Sequence, residues 1–255
     1  MTTAWIIGSY PDLPVQSVTI GGGGRTIAAG DYYLRDATAS LSLLAAMVTA
    51  MTAGSVGSAA AYLGEDRKVH LAGSGTFSVT WPSDALLRGL LGFSGNLSGA
   101  SSYTATSISK LLWSPGIDES PKGGILGSAG QRAYRIESTD WPQEITTTQL
   151  ASGRSNTFSW QHVSYERYKY QEIGGEFGEF FDQVIVLARR WKLYRGVTES
   201  SATTAATLGT PLGPYKTPLK DGIIDEPFSR SSGFEHNDQY FDVDIAARTV
   251  AEYGS

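Results

Sequence analysis

The chain has no cysteine among its 255 residues, which excludes disulfides and thiolate metal ligands and leaves the redox compartment open. Histidine is nearly as scarce: His70, His162 and His236 are scattered too widely for a His-rich metal cluster. Charged side chains make up only 18% of the residues, below the roughly 25% of an ordinary soluble domain. A net charge of −5 leaves no overall basic surface for a phosphate backbone. Long apolar runs are missing too. The longest, residues 41–51, falls well short of the ~20 residues that span a bilayer, so no membrane insertion is expected. Residues 1–8 carry neither a positive start nor an apolar stretch of signal-peptide length, and a soluble protein is the expectation.

What fills the gap is small and polar. Thirty glycines, with abundant Ser and Thr, suit short strands, tight turns and large subunit interfaces. The apolar share of 41%, with aromatics at 11%, is enough to build a core. The length allows one large domain or two small ones.

Residues 31–97 organise the rest. Trp5, Ile6 and Ile7 make a short apolar edge, and 11–14 read as a loop. Val15, Val18 and Ile20 predict a strand ending at the glycine run 21–24. That run lacks the third glycine of a dinucleotide loop and any following Gly-Lys-Ser/Thr, so it reads as a turn or a place of close backbone contact. Tyr32-Tyr33-Leu34 is a strand, with Asp36 or Thr38 as N-cap of the next helix. Leu41, Leu44, Ala45, Val48 and Met51 or Thr52 lie at helical spacing and predict its buried face; Gly54 ends it. Residues 61–63 and 68–71 flank the polar turn 64–67 as a β-hairpin. Phe77, Val79 and Trp81 alternate with Ser78 and Thr80 as a half-buried strand. Asp84 then caps two helical turns carrying Leu86, Leu87, Leu90 and Leu91, closed by Gly92 with Phe93 beyond, the pattern of a Schellman end.

From 114 to 130 the composition turns to Pro, Gly, Ser and charge without periodicity, which reads as a linker. Beyond it come a strand at 133–136 and an aromatic-rich strand pair at 156–170. Phe177, Phe180, Phe181, Val184, Ile185 and Leu187 follow at helical spacing, with Arg189 and Arg190 where cations suit the helix dipole. An alternating strand at 191–195, a long Ser/Thr/Ala/Gly/Pro loop at 197–214 and an alternating final strand at 240–246 complete the chain. The fold class predicted is α+β: two small modules, each a mainly antiparallel sheet or sandwich packed with one main helix. Their bounds are 1–116 and 131–255, with 117–130 between them.

Few groupings carry chemistry. No Gly-x-Ser-x-Gly elbow occurs. His70 has no carboxylate or second histidine at useful spacing and reads as structural. His162 has Glu166 four residues on, loosely placed on a strand. Glu172, Glu176, Glu179 and Asp182 lie in and before the second helix. They read as dipole-favoured acids on a solvated face, with paired glycosidase carboxylates, or a channel lining that repels a passing polyanion, as alternatives. Asp221, Asp225 and Glu226 do not match an EF-hand. Tyr165, Tyr168 and Tyr170 interleave with Arg167 and Lys169 like a base-stacking surface, but Glu166, Glu172 and Glu176 beside them favour packing instead.

The residues Gly30-Asp31-Tyr32-Tyr33-Leu34, the Leu/Ala helix and the hairpin lead into Gly75-Thr76-Phe77-Ser78-Val79-Thr80-Trp81 and Leu90-Leu91-Gly92-Phe93. With the tail Gly95-Asn96-Leu97-Ser98-Gly99-Ala100-Ser101-Ser102-Tyr103-Thr104-Ala105 and Leu112-Trp113-Ser114-Pro115-Gly116, this order resembles a module of the structural proteins of long-tailed bacteriophages. The resemblance covers residues ~15–116. The second half is similar only in outline to tail-tube and distal-tail proteins. It implies a non-enzymatic virion subunit of the tail, at the tip or along the tube, assembled in the host cytoplasm. Such a subunit forms rings, trimeric or hexameric, with its own copies and other tail proteins, in passive contact with DNA passing a channel. No catalytic, cofactor or metal residue is expected. Residues 21–24 and 197–214 are expected to order only against neighbouring subunits. The alternatives are a host-surface or carbohydrate-binding adsorption module using Trp141, Trp160 and the tyrosines at 165–170, and a glycoside hydrolase using Glu176 and Glu179.

Overall fold

The computed structural model describes residues 3–82, 85–117, 133–138, 145–151, 155–164, 167, 176–196, 211–217, 219–220, 223–224, 228–232 and 240–253. In chain order the first half gives Thr3–Leu13 (β1), Gln16–Ile20 (β2), Gly23–Ile27 (β3), Gly30–Tyr33 (β4), the helix Leu43–Ala53 (α1), Ala60–Leu63 (β5), Val69–Thr80 (β6), the helix Leu86–Leu91 (α2), Leu97–Thr104 (β7) and Leu112–Ile117 (β8). The second half gives Ala133–Ser138 (β9), Ile145–Ala151 (β10), Ser155–Ser164 (β11), the helix Glu176–Phe180 (α3), Trp191–Gly196 (β12), Leu212–Lys216 (β13), Leu219–Lys220 (β14), Ile223–Ile224 (β15), Phe228–Ser232 (β16) and Tyr240–Thr249 (β17).

The strands form two principal antiparallel sheets with a small helical part, a mainly β version of the α+β class predicted. The smaller sheet has five strands in the order β3-β2-β6-β5, with β7 also on β6. The larger has eight, in the order β11-β17-β13-β12-β1-β4, with β16 on β17 and β8 on β1. β1, from the start of the chain, pairs antiparallel with β12, Thr3 opposite Gly196 through Gly8 opposite Trp191, so this sheet draws strands from both sides of residues 117–130. Residues 114–117, read from composition as the start of the linker, belong to β8, and the rest of it lies outside the described residues.

β1 corrects the reading of residues 5–14. Trp5, Ile6 and Ile7 are not an edge but the middle of a strand, fully buried, with β12 on one side and β8 and β4 on the other. The strand runs on through Pro11, where a register shift between Tyr10 and Leu13 accommodates a residue without an N–H. Asp12 takes a positive φ of 49° there, and its N–H donates to Asp31 Oδ1 at 2.8 Å.

The glycine run is a hairpin turn in close backbone contact with α1, as its sequence reading expects. Ile20 pairs with Gly23, leaving Gly21 and Gly22 as a two-residue loop with φ of 58° and 83°. Two positive φ values match the twist of the strands they join. A Cβ on Gly21 would meet the Gly54 carbonyl oxygen at 2.7 Å, so the end of α1 sits directly against the turn.

α1 buries Leu43, Leu44, Met47, Ala50 and Met51, a face displaced from the one predicted, and Ala45 and Val48 are only half-buried. The helix starts later than its apolar run. Residues Ala39–Leu41 form a separate 3-10 turn, and Ser42 caps α1 by accepting from the Ala45 N–H at 3.3 Å. Asp36 and Thr38 are therefore not its caps. α2 ends as predicted: Gly92 has φ of 84°, its N–H bonds Gly89 O, and the Phe93 N–H bonds Arg88 O at 3.0 Å, the two bonds of a Schellman end. The predicted cap Asp84 lies outside the described residues.

α3 continues into a π-helical turn, Phe181–Ile185, with the Val186 N–H on Phe181 O and the Arg189 N–H on Val184 O. The wider turn buries Phe177, Phe180, Phe181, Val184 and Ile185 as predicted, then reverses at Ala188, whose φ is 47°. Leu187 is consequently 51% exposed instead of joining the core. β12 shows no alternation. Trp191, Lys192, Leu193 and Tyr194 are all buried, because the strand lies inside the sheet with both faces covered. In β17, Val243, Ile245 and Ala247 are buried.

Candidate functional site

Two clusters of polar side chains stand out. The first lines a cleft of about 290 Å³ between the β5–β6 turn (Asp66, Arg67, Lys68), the segment leading into β8 (Ser107, Ile108, Ser109, Lys110) and α3 (Glu176, Glu179). Its charges are already matched. Arg67 Nη1 donates to Glu176 Oε2, and Lys110 Nζ lies 3.0 Å from Glu179 Oε2. Lys68 Nζ donates to the Thr106 carbonyl at 3.1 Å. Behind Glu176, Arg167 donates to the carbonyl and hydroxyl of Ser114 at 3.2 and 3.1 Å, while its own carbonyl accepts from Trp113 Nε1 at 2.8 Å. Burial lowers the Arg167 pKa, the nearby Arg67 charge lowers it further, and Glu176 opposes them.

The helix acids thus face cations from another part of the chain instead of each other. A glycosidase needs two carboxyl groups facing one substrate, one held protonated and one ionised. Glu176 and Glu179 instead fasten α3 to the β5–β6 turn and to the start of β8. Asp182 is exposed, and Glu172 lies outside the described residues.

His70 does have a carboxylate. The β5–β6 turn folds back so that Asp66 Oδ1 accepts from His70 Nε2 at 2.8 Å, while Nδ1 lies 3.1 Å from the Thr104 hydroxyl. The linear spacing conceals this, because four residues around a turn bring side chains together that four along a strand would not. Burial pushes the Asp66 carboxyl up, but the hydrogen bonds from His70 and the Lys68 N–H and the charges of those two residues outweigh it and hold the pKa below the usual value. Hydroxyl, imidazole and carboxylate lie in the order of a hydrolytic triad. The ladder itself accounts for it: His70 and Thr104 are register partners of β6 and β7, and the imidazole stacks on Tyr62 with centroids 5.0 Å apart.

The second cluster is deeper, and local sequence pattern gives little sign of it. Lys192, 5% exposed on β12, places Nζ 2.6 Å from Asp36 Oδ2 and 2.6 Å from Glu252 Oε2. Asp36 is 2% exposed; its Oδ1 accepts from the Thr38 N–H at 2.8 Å and its Oδ2 from the Tyr194 hydroxyl at 3.2 Å. Glu252 Oε1 accepts from the Tyr33 hydroxyl at 2.9 Å. The Lys192 ammonium also lies 4.3 Å from the Tyr33 ring centroid, and Arg190 covers Tyr253 at 3.8 Å. Burial first, then the Glu252 charge, drives the Tyr33 phenol far above its usual range; burial and Asp36 do the same to Tyr194. The one signal in the sequence is a lysine between the apolar Trp191 and Leu193.

Of the other residues singled out from sequence, Glu166, Tyr165, Tyr168, Lys169, Tyr170, Trp141, Asp221, Asp225, Glu226 and His236 lie outside the described residues, as do the side chains of Trp160 and His162. Among the described residues no group of three or more His, Cys, Asp or Glu is arranged to hold a metal ion, and no helix is long and apolar enough to cross a membrane. No family model matches the chain, and neither a curated protein nor a solved structure matches it.

Proposed function

We propose that the chain is a non-enzymatic structural subunit of a long-tailed bacteriophage virion, a tail protein that assembles into rings with its own copies and with other tail proteins. The resemblance of residues ~15–116 to virion modules supports this reading. So does the use of charge in the cleft, where Arg67, Lys110, Glu176 and Glu179 tie remote segments of the subunit together. The observation that carries the assembly is β7. It reads LSGASSYT, eight residues without a charge or a proline, and among the described residues it pairs only with β6. Monomeric proteins blunt such edges with lysine, proline or a covering segment, because an open ladder recruits another strand. An uncharged edge suits a subunit whose neighbour covers it.

Light scattering of the purified chain, with negative-stain images of the same sample, tests this. Rings or tubes are expected, and a monomer at every concentration would overturn the reading. Ser101→Lys places a charge on the exposed edge and is expected to shift the mass toward monomer. Rings that form equally well with it would move the contact off β7.

A further inference from the structure

An ordinary buried ion pair balances one cation against one anion, but Lys192 faces two carboxylates, Asp36 and Glu252, both at 2.6 Å. A buried amine, a buried carboxyl group and a third, partly exposed acid within reach of the amine are the parts a condensation needs. We propose that Lys192 and Asp36 join as an internal isopeptide bond, with Glu252 carrying the proton. The inference does not rest on the virion reading.

The geometry supplies each part. The amine is held against the carboxyl group by the fold, so the encounter is intramolecular and already oriented. One ammonium proton passes from Nζ to Asp36 Oδ2, 2.6 Å away, giving a free amine beside a carboxylic acid. The Nζ lone pair attacks Cγ, forming the C–N bond. Negative charge then develops on Oδ1, which the Thr38 N–H already holds at 2.8 Å. Glu252 takes a second proton from Nζ and returns it to Oδ2, whose bond to Cγ breaks as water leaves. Tyr194, bonded to Oδ2 at 3.2 Å, steadies the departing oxygen, and Tyr33, bonded to Glu252 at 2.9 Å, fixes the proton carrier. The balance is one ammonium and one carboxylate converted to one amide and one water, with Glu252 regenerated and no oxidant or cofactor involved. Glu252 is also the most exposed of the three, its side chain 31% accessible, which gives the water a way out.

The product would fasten β12 to the segment after β4, a covalent tie between positions 36 and 192. The test is the intact mass of the purified full chain under denaturing conditions, followed by tryptic peptide mapping. The expected mass is short of the sequence mass by one water, with a single branched peptide joining the Asp36 and Lys192 segments and no cleavage after Lys192. Lys192→Met is expected to show its full sequence mass. Glu252→Gln, shown to be folded by circular dichroism, is expected to condense at least tenfold more slowly. A wild-type chain of full mass after prolonged incubation would overturn the bond, as would a water lost from a linear peptide. Condensation of Glu252→Gln at the wild-type rate would overturn the role of Glu252.

Discussion

Gly92 holds the end of α2 against residues 107 and 108, and replacing it with alanine tests that junction directly. Its φ is 84°, a conformation that costs an L-residue ~1–2 kcal/mol. A Cβ there would also sit 2.3 Å from the Ser107 carbonyl oxygen and 3.3 Å from the Ile108 carbonyl carbon, which are backbone atoms unable to swing aside. Ser107 is itself anchored to Gly92, its N–H and hydroxyl both donating to the Gly92 carbonyl at 3.0 and 3.2 Å. Overpacking of this kind adds about 1–2 kcal/mol, for a total of ~2–4 kcal/mol. At ~2–4 °C per kcal/mol for a chain of this size, the melting midpoint is expected to fall by roughly 5–15 °C. Two further glycines separate the terms. Gly22→Ala meets the same backbone penalty at φ 83° with nothing within 4 Å, so it is expected to cost only ~1–2 kcal/mol. Gly89→Ala lies inside α2 with open space around it and is expected to stabilise by ~0.5–1 kcal/mol. Urea midpoints and thermal melts of the three variants provide the measurement. If Gly92→Ala costs no more than Gly22→Ala, the packing of α2 on residues 107–108 is wrong.

Gly8 and Val184 give a compensating pair. A Cβ on Gly8 would lie 2.3 Å from Val184 Cγ2, so Gly8→Ala alone is expected to destabilise by about 1–3 kcal/mol, and Val184→Ala to recover at least ~1 kcal/mol of that in the double variant; strictly additive melts would refute the contact. The pH dependence of Asp66 has a definite sign. Its folded pKa is lowered, so the unfolded chain binds the proton more readily, and the stabilisation is present above the unfolded value and lost as pH falls through the folded one. Wild type is therefore expected to exceed Asp66→Asn in stability near neutrality and to lose that margin below about pH 4, read from urea midpoints across a pH series.

Elements made by neighbours in sequence were legible before the structure. The end of α2 needed only Gly92 and Phe93, and the β5–β6 hairpin only a polar turn between apolar flanks. Where partners come from far along the chain, local pattern fails. Trp5-Ile6-Ile7 is the same short apolar run whether it lies at an edge or at the centre of a sheet, and only its ladder to β12 decides. The face of α1 was misplaced because its apolar run continues into a 3-10 turn, so Leu41 belongs to a different element from Leu44. The same limit hid the polar clusters. Asp36 read as a helix cap and Lys192 as part of an alternating strand, since neither carries a local mark of the other. His70 was read as structural but without its carboxylate, because the turn that delivers Asp66 bends back on itself.

The pairing of β1 with β12 also constrains how the molecule comes into being. β1 has one of its ladder partners, β12, far along the chain, and fully apolar residues lie at its centre. Until β12 is synthesised, one side of β1 has an unsatisfied row of backbone groups beside Trp5, Ile6 and Ile7. The larger sheet can therefore close only once β12 and β17 have been synthesised, and its long loop closure makes that step slow. Chains stalled before residue 191 would expose an incomplete sheet, the species most prone to pair with the wrong neighbour.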